Sequence, residues 1–570
     1  MRIIGIDTET NAGSPITFQF FGDNCGSEGI IKFTTSKNAT RDFLKMLENI
    51  IKNQRDTSTV LFGHNLKFDL VSIFHDRHFI FKEEEFSFSV NDWSVEGIYA
   101  NVVFATLHYD RHVVSIIDTG AYFQRPLKEL AEIFCPGLPK LTAPVDLGSR
   151  DFSPTDLEFV AYAMRDAEIA WHIGRHIIEK HAQYKVSLAV SAPHFASKIF
   201  RTKYLKKIIP LPSKKIVYSA LHSYHGGKNN LAADPGWYNG VYSLDIVSAY
   251  PAAMKLLPSF SENSLYKSLR CFGDCSITWD KIPEFGIYRV WGETKKCRWP
   301  IIYDHHFKPI IGRVDAIWIT GSELREALRT REFKLEKMDG YFYDAKLDTN
   351  SSPFSGYVDE FFAMKDTAQT ESERMFYKVL MNSLYGKFIQ SHDHTGLKAF
   401  RDLVFDLDTE ILKSEKIIVA GGLFNPFIAT IITGMVRAWI HTLEHKYKSL
   451  HTATDGIFTQ IHPKEISGLG GQKIDCYGEL LLIRNKCYII YGKKSQVTDP
   501  KKQKPSKQFK GKYILKFAHH GFYGTVYDLE RMYIEGTHEY EYTKVNKLKE
   551  SLRRGLTVNK FEKRKAKLNF

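Results

Sequence analysis

Hydrophobic and polar positions alternate along the chain in blocks that predict strands and helices, and acids stand at the ends of several of them. Ile3-Ile4-Gly5-Ile6 is a short β-branched run that predicts a buried strand. Residues two apart in a strand share a face, so Asp7 and Glu9 point the same way from a strand end. Thr59-Val60-Leu61-Phe62 predicts a second strand, running into Gly63-His64-Asn65-Leu66-Lys67-Phe68-Asp69 and leaving a third carboxylate just beyond its end. Ser153-Pro154-Thr155-Asp156 predicts a helix start, with Ser153 as N-cap, Pro154 at the first helical position and Asp156 completing a capping box. The helix it opens carries Tyr162 and Asp166, four apart and hence on one face.

The second half repeats the theme. Val241-Tyr242-Ser243-Leu244 predicts a strand delivering Asp245, and Pro251 stops any continuing central strand. His451 to Thr459 has the form of a β-hairpin whose Gly-containing turn presents Asp455, so Asp245 and Asp455 are expected to meet across one sheet. Between them the periodicity predicts a helix over 373–388, with Lys378, Asn382 and Tyr385 on one stripe and Phe376, Leu380 and Leu384 on the opposite one. One face packs; the other offers a cation, an amide and a ring to a ligand, a combination suited to a triphosphate plus a base. The uncharged run from Ile417 to Val436 has the length of a membrane span. Gly421-Gly422 and Asn425-Pro426 instead divide it into a strand, a turn and a helix that Arg437 and His441 continue, so a soluble protein with no membrane partner is expected.

At 570 residues the chain exceeds a single hydrophobic core, and its formal charge of +13 favours a polyanionic partner, nucleic acid first and an acidic membrane second. Seven scattered cysteines and an opening MRIIGIDTET without a charged-then-apolar leader fit a reducing cytoplasm. Cys271, Cys275 and Cys297 with His305 or His306 supply enough donors for zinc, but the spacing is loose and buried reduced thiols are the expectation. The basic stretch from Leu552 to Lys567 is expected to touch phosphates.

Asp7, Glu9, Asp69 and Asp166, on two strand ends and a helix, are what two divalent ions about 4 Å apart require for phosphodiester hydrolysis. The set Asp7-x-Glu9, Asn65-x-x-Phe68-Asp69 and Tyr162-x-x-x-Asp166 resembles the three motifs of the DEDDy 3′–5′ exonucleases, which sit on a ribonuclease-H-like sheet. That resemblance implies that Thr10, His64, Asn65 and Phe68 hold a frayed 3′ end and that Lys140 supports the hydrolytic site. It also implies a primer-end contact at Thr119, although Gly120 stands where relatives usually carry Leu.

Asp245-x-x-Ser248-x-Tyr250-Pro251, Lys378-x-x-x-Asn382-Ser383-x-Tyr385-Gly386 and Thr454-Asp455-Gly456 resemble motifs A, B and C of family B DNA polymerases. Lys486-Cys487-Tyr488 resembles the family's primer-gripping Lys-x-Tyr motif, and Tyr224-His225-Gly226-Gly227 its Tyr-x-Gly-Gly linker. The resemblance implies Mg2+ ions, two per active site with Mn2+ able to replace them, held by Asp245, Asp455 and the Ile246 carbonyl. It further implies that Lys365 and Lys378 neutralise the triphosphate, that Tyr250 excludes ribonucleotides, and that Tyr385 packs at the nascent base pair. Ala453 replaces the first Asp of the usual Asp-Thr-Asp.

The compact length is similar to the protein-primed branch of viruses and linear plasmids. This implies a multidomain α/β and α+β fold with DNA template and primer, deoxynucleoside triphosphates and a terminal protein as partners. The implied segments are an exonuclease domain (1–186), palm (187–257 and 424–525), insertions (258–354 and 391–423), fingers (355–390) and thumb (526–570). A monomer in the cytoplasm, of the host cell for a viral protein, is expected. Two rivals stay open: a DNA-binding exonuclease with a degenerate polymerase half, and a family B polymerase using nucleic-acid primers.

Overall fold

A computed structural model describes the chain except for residues 53–54, 83, 145–152, 154, 274, 391–421, 494–503, 548–549, 552–555, 557–558 and 569–570. The expected insertion at 391–423 and the strand foreseen around 417–420 thus lie almost wholly outside the described residues, as do Arg553 and Arg554. By compactness the chain forms two units. One is Met1–Thr202 with Met364–Leu380 and Thr543–Arg564; the other is Lys203–Ala363 with Met381–Tyr542 and Lys565–Phe570.

The first unit is built on β1 (Arg2–Asn11), β2 (Ser14–Gly22), β3 (Ile30–Phe33), β4 (Ser58–Gly63), β5 (Glu85–Val90), β6 (Trp93–Tyr99), β7 (Val103–Tyr109) and β8 (His112–Asp118), in the order β3-β2-β1-β4-β8-β7-β6-β5. β4 lies parallel to β1 and to β8, while the flanking pairs are antiparallel. Ile4 and Ile6 of β1, Val60 of β4, and Val114, Ile116 and Ile117 of β8 are buried, as the middle of a covered sheet requires. β1 runs on to Asn11, so Asp7 and Glu9 sit within a strand rather than at its end. The parallel ladder to β4 stops at Gly5 ↔ Phe62, however, and the acids stand just past that stop.

The helix Leu157–Tyr184 crosses β1 closely: a Cβ at Gly5 would lie 1.9 Å from the Ala167 carbonyl oxygen and 2.6 Å from the Trp171 nitrogen. Only glycine permits this approach, which brings the helix bearing Tyr162 and Asp166 against the strand bearing Asp7 and Glu9. The helix starts later than expected, with Asp156 rather than Ser153 at the cap position. The Asp156 carboxylate accepts hydrogen bonds from the Ser153 backbone nitrogen (2.8 Å) and hydroxyl (3.3 Å), one half of the expected capping box.

In the second unit, β9 (Lys228–Leu231) and β10 (Gly236–Ile246) open a sheet that later strands complete. The chain first builds a separate four-stranded sheet from β11 (Tyr266–Cys271), β12 (Gly286–Thr294), β13 (Gly312–Thr320) and β14 (Phe333–Tyr343), in the order β11-β14-β12-β13. Here Cys271 and Cys275 are joined as a disulfide, correcting the expectation of reduced thiols: β11 ends at Cys271 and the turn beyond sets the two Cα atoms 5.7 Å apart, within bridging range. Two of the donors considered for zinc are thereby consumed.

The main sheet is then closed by β15 (His451–Thr454), β16 (Gly456–Thr459), β17 (Gln472–Arg484), β18 (Cys487–Gly492), β19 (Lys504–Pro505) and β20 (Tyr513–His519), in the order β19-β20-β18-β17-β10-β16-β15-β9. The apolar run ends in the helix Pro426–Tyr447, capped by the Asn425 side chain. This helix is long and apolar enough to cross a membrane, yet 89% of its apolar window is buried within the protein, where Arg437 pairs with Glu323 through two hydrogen bonds (2.6 and 3.0 Å). The predicted 373–388 helix is observed as Glu371–Ser383 followed by a 3₁₀ turn, Tyr385–Phe388. Such tightening is common at helix ends.

Candidate active sites

In the first unit four carboxylates converge as the sequence predicts. Asp69 enters on the helix Leu66–Ile73, whose N-cap Asn65 is left-handed (φ 63°) and whose first turn is held by Asp118: its carboxylate accepts from the Asn65 (2.9 Å) and Leu66 (3.2 Å) backbone nitrogens. The Thr8 hydroxyl donates to Asp69 at 2.7 Å. Asp7 is driven well above the ordinary carboxylate range by burial and then by the charges of Asp69, Glu9 and Asp166. Glu9 rises to about 8, by burial and the charge of Asp166, even though the Tyr162 hydroxyl donates to it. Asp69 rises to about 7, chiefly by burial. Lys140 pairs closely with Asp166.

One lysine against four buried acids leaves negative charge that protons or divalent cations must balance, and an all-oxygen donor set suits Mg2+. The predicted 3′-end contacts surround this cluster unequally. Asn65 is exposed, Phe68 and His64 are half-buried, and Thr119 is fully buried. The Thr119 hydroxyl donates to the Gly63 carbonyl (3.0 Å) and meets His64 Nδ1 at 2.9 Å. The position expected to touch DNA therefore holds the His64 ring instead, because no surface is left to it.

In the second unit Asp245 and Asp455 meet across paired strands, with Asp245 opposite Gly456 and the Ile246 nitrogen donating to the Asp455 carbonyl at 2.9 Å. Thr454, at φ 62°, turns the hairpin. A Cβ on Gly456 would lie 2.0 Å from Asp245 Oδ1, so this turn can seat itself against the carboxylate only without a side chain. Tyr250, on the helix Ala249–Lys255, stacks on Tyr385 with ring centroids 4.5 Å apart and planes 7° from parallel. The Tyr-x-Gly-Gly linker is anchored by Arg437, which donates to the His225 and Gly226 carbonyls. Tyr488 is buried against Phe458, ring centroids 4.6 Å apart, whereas Lys486 turns the β17–β18 hairpin and is half-exposed.

Two residues of this centre escaped the sequence reading. Lys516 on β20 lies 3.2 Å from Asp245 Oδ2, 3.0 Å from Asp475 Oδ2 and 2.9 Å from the Ser243 hydroxyl. Asp475, on β17, hydrogen-bonds Asp245. Burial raises Asp245 to about 7 against the pull of Lys516. For Asp475 burial acts upward too, but the Asp245 hydrogen bond and Lys516 hold it down to about 2. Burial also opposes the charge on Lys516, and the two carboxylates more than restore it. A lone lysine in the strand Tyr513-Ile514-Leu515-Lys516-Phe517 was the available signal, since a lysine in a buried strand needs a partner.

Of the predicted triphosphate ligands, Lys378 is exposed on Glu371–Ser383 and Asn382 and Tyr385 are half-buried, while Phe376, Leu380 and Leu384 are buried. Lys365 forms an ion pair with Asp366 at 3.2 Å. The 364–380 segment packs within the first unit through Lys180, 3.6 Å from Glu373, and Phe376, 5.7 Å from Phe195.

Residues 156–420 match the family model described as DNA polymerase type B, organellar and viral. That match spans 265 of the 570 residues. Among solved structures the chain is similar to Phi29 DNA polymerase complexed with primer-template DNA, at 17% identity over 100% of both chains and a TM-score of 0.71. The same enzyme with primer-template DNA and incoming nucleotide gives 17%, 100% of both chains and 0.68. With single-stranded DNA it gives 17%, 95% of this chain, 96% of that one and 0.65. No curated protein sequence matches. At such identity the likeness speaks for the fold alone, a multidomain one that extends across the whole chain.

Proposed function

We propose that this chain is a type B DNA polymerase, which extends a DNA primer with deoxynucleotides in the second unit and removes mispaired 3′ ends in the first, on a linear viral or plasmid genome. The observation that carries the reading is the Asp245–Asp455 pair: Asp245 lies near the end of β10, and Asp455 in the turn between β15 and β16, where Gly456 fits against the Asp245 carboxylate only without a side chain. Magnesium held by Asp245, Asp455 and the Ile246 carbonyl, and by Asp7, Glu9, Asp69 and Asp166, would supply Lewis acidity for phosphoryl transfer and for hydrolysis. Everything else falls to the protein's own groups. The stacked Tyr250 and Tyr385 rings wall the sugar and base of the incoming nucleotide, and Tyr250 leaves no room for a 2′-hydroxyl. Lys486 holds the primer. Lys516 balances the charge of Asp245 in the metal-free protein and would cede that carboxylate to a bound Mg2+.

In the exonuclease, Tyr162 orients the attacked phosphate beside Glu9, Lys140 steadies Asp166, and His64, Asn65 and Phe68 hold the unpaired end. Primer extension with four deoxynucleotides and Mg2+, followed by omission of the nucleotides, tests both halves. Extension in the first and 3′–5′ shortening in the second are expected; shortening without extension rejects synthesis. That outcome would favour the second reading, a degenerate polymerase half, for which Ala453 and the lysine lodged on Asp245 speak. The finer reading is priming by the hydroxyl of a terminal protein: covalent protein on linear genome ends supports it, and a circular replicon rejects it.

A further inference from the structure

Apart from the polymerase acids, the last turns of the helix Pro426–Tyr447 carry a donor cluster that neither reaction uses. His441 and His445, four apart and on one helical face, both aim Nε2 at a single oxygen: His441 is 2.9 Å and His445 2.6 Å from Glu332 Oε1. Glu332, His441 and His445 each present a ligand atom within 4.8 Å of the others. His441 is fully buried, and its Nδ1 makes no hydrogen bond, lying 3.8 Å from Glu326 Oε2, too far for one. That is the layout of a metal-binding imidazole one step before closure: Nε2 faces the ion, and Nδ1–H faces a carboxylate that fixes the ring. The Cys297 thiol lies against Glu332 as well, a fourth donor at hand.

We propose that Glu332, His441 and His445 bind one zinc-class divalent cation, which pins the four-stranded sheet segment to the helix leading into the Asp455 hairpin. Two imidazoles with one carboxylate and a nearby thiol select zinc over magnesium, whose preference is for oxygen alone. Glu332 lies just before β14, and the helix runs through Lys448 into β15, so the ion would brace the element that delivers Asp455. Its role is structural: it touches neither substrate nor the reacting phosphate.

The test uses the full chain, stripped with chelator and titrated with Zn2+ or Co2+ in excess Mg2+, which occupies the oxygen sites. One ion per chain retained through desalting, a tetrahedral Co2+ absorption spectrum and a raised melting temperature are expected. His445→Gln, at a partly exposed ring that the fold tolerates, should abolish retention; Asp245→Asn should keep it. Glu326→Gln should weaken binding roughly 10–100-fold, as loss of a carboxylate behind a ligating imidazole does. Failure to retain zinc, or undiminished Co2+ binding in His445→Gln, would overturn the proposal and leave a histidine–carboxylate hydrogen-bond cluster.

Discussion

Glu9→Gln should stabilise the metal-free protein, although it removes a residue of the proposed exonuclease centre. In the folded chain the Glu9 carboxyl is held up to about 8, against an ordinary value of 4.5, by burial and the charge of Asp166. A folded pKa above the unfolded one means that the protonated acid is tolerated and the ionised acid is not. Stability is therefore full below pH 4.5 and falls as pH rises toward 8. The shift corresponds to about 4–5 kcal/mol at 1.36 kcal/mol per unit. Water and counter-ions entering the cleft take up part of this, leaving about 2 kcal/mol at pH 9. Glutamine keeps an oxygen for the Tyr162 hydroxyl and carries no charge.

In EDTA at pH 9 the variant's first unit should melt higher by about 4–8 °C, from 2–4 °C per kcal/mol for a domain of this size. At pH 5 the two proteins should melt together, and Mg2+ should stabilise the parent more than the variant at pH 9. Thermal unfolding followed by tryptophan fluorescence, with and without Mg2+, reads all three. An advantage independent of pH, or none at pH 9, would refute the view that these acids repel one another until a metal arrives.

Gly456→Ala puts a methyl group 2.0 Å from Asp245 Oδ1, and a displacement of about 1 Å at the reacting centre should lower primer extension roughly 100-fold while 3′–5′ degradation continues. Equal loss of both activities would show a folding defect instead. Lys516→Met leaves Asp245 and Asp475 facing each other; denaturant melts at pH 8 should fall by about 1–2 kcal/mol, less than for a fully buried pair because the lysine is a quarter exposed, and the loss should shrink as pH falls below about 7, where Asp245 takes up a proton and the repulsion from Asp475 ends. Tyr250→Val should raise ribonucleotide incorporation measured as alkali-labile product, and unchanged sugar discrimination would remove the steric role of this ring.

The sequence exposed those parts of the two centres that depend on local periodicity. Asp7 and Glu9 share a strand face, Tyr162 and Asp166 a helix face, and Asp455 tops a hairpin, all features of spacing within a few residues. What escaped arises from pairings distant along the chain. Lys516 reaches Asp245 only because β20, β18, β17 and β10 lie side by side, and no pattern near residue 516 names its partner. The primer-end contact expected at Thr119 comes from the motif resemblance alone, and nothing near it in sequence reveals that its hydroxyl meets the Gly63 carbonyl and His64. The Cys271–Cys275 bond likewise depends on how the end of β11 turns, which spacing alone leaves open.

Gly5 has a consequence for engineering. Where it crosses the helix Leu157–Tyr184, main chain rests on main chain, so the separation between the acids of β1 and those of the helix is set by peptide groups rather than by interlocking side chains. Volume-conserving exchanges among the surrounding leucines and phenylalanines should therefore leave the four-carboxylate cluster in register. A single methyl group at position 5 would do what a dozen core substitutions do not: wedge the helix outward and draw its acids out of reach of the strand.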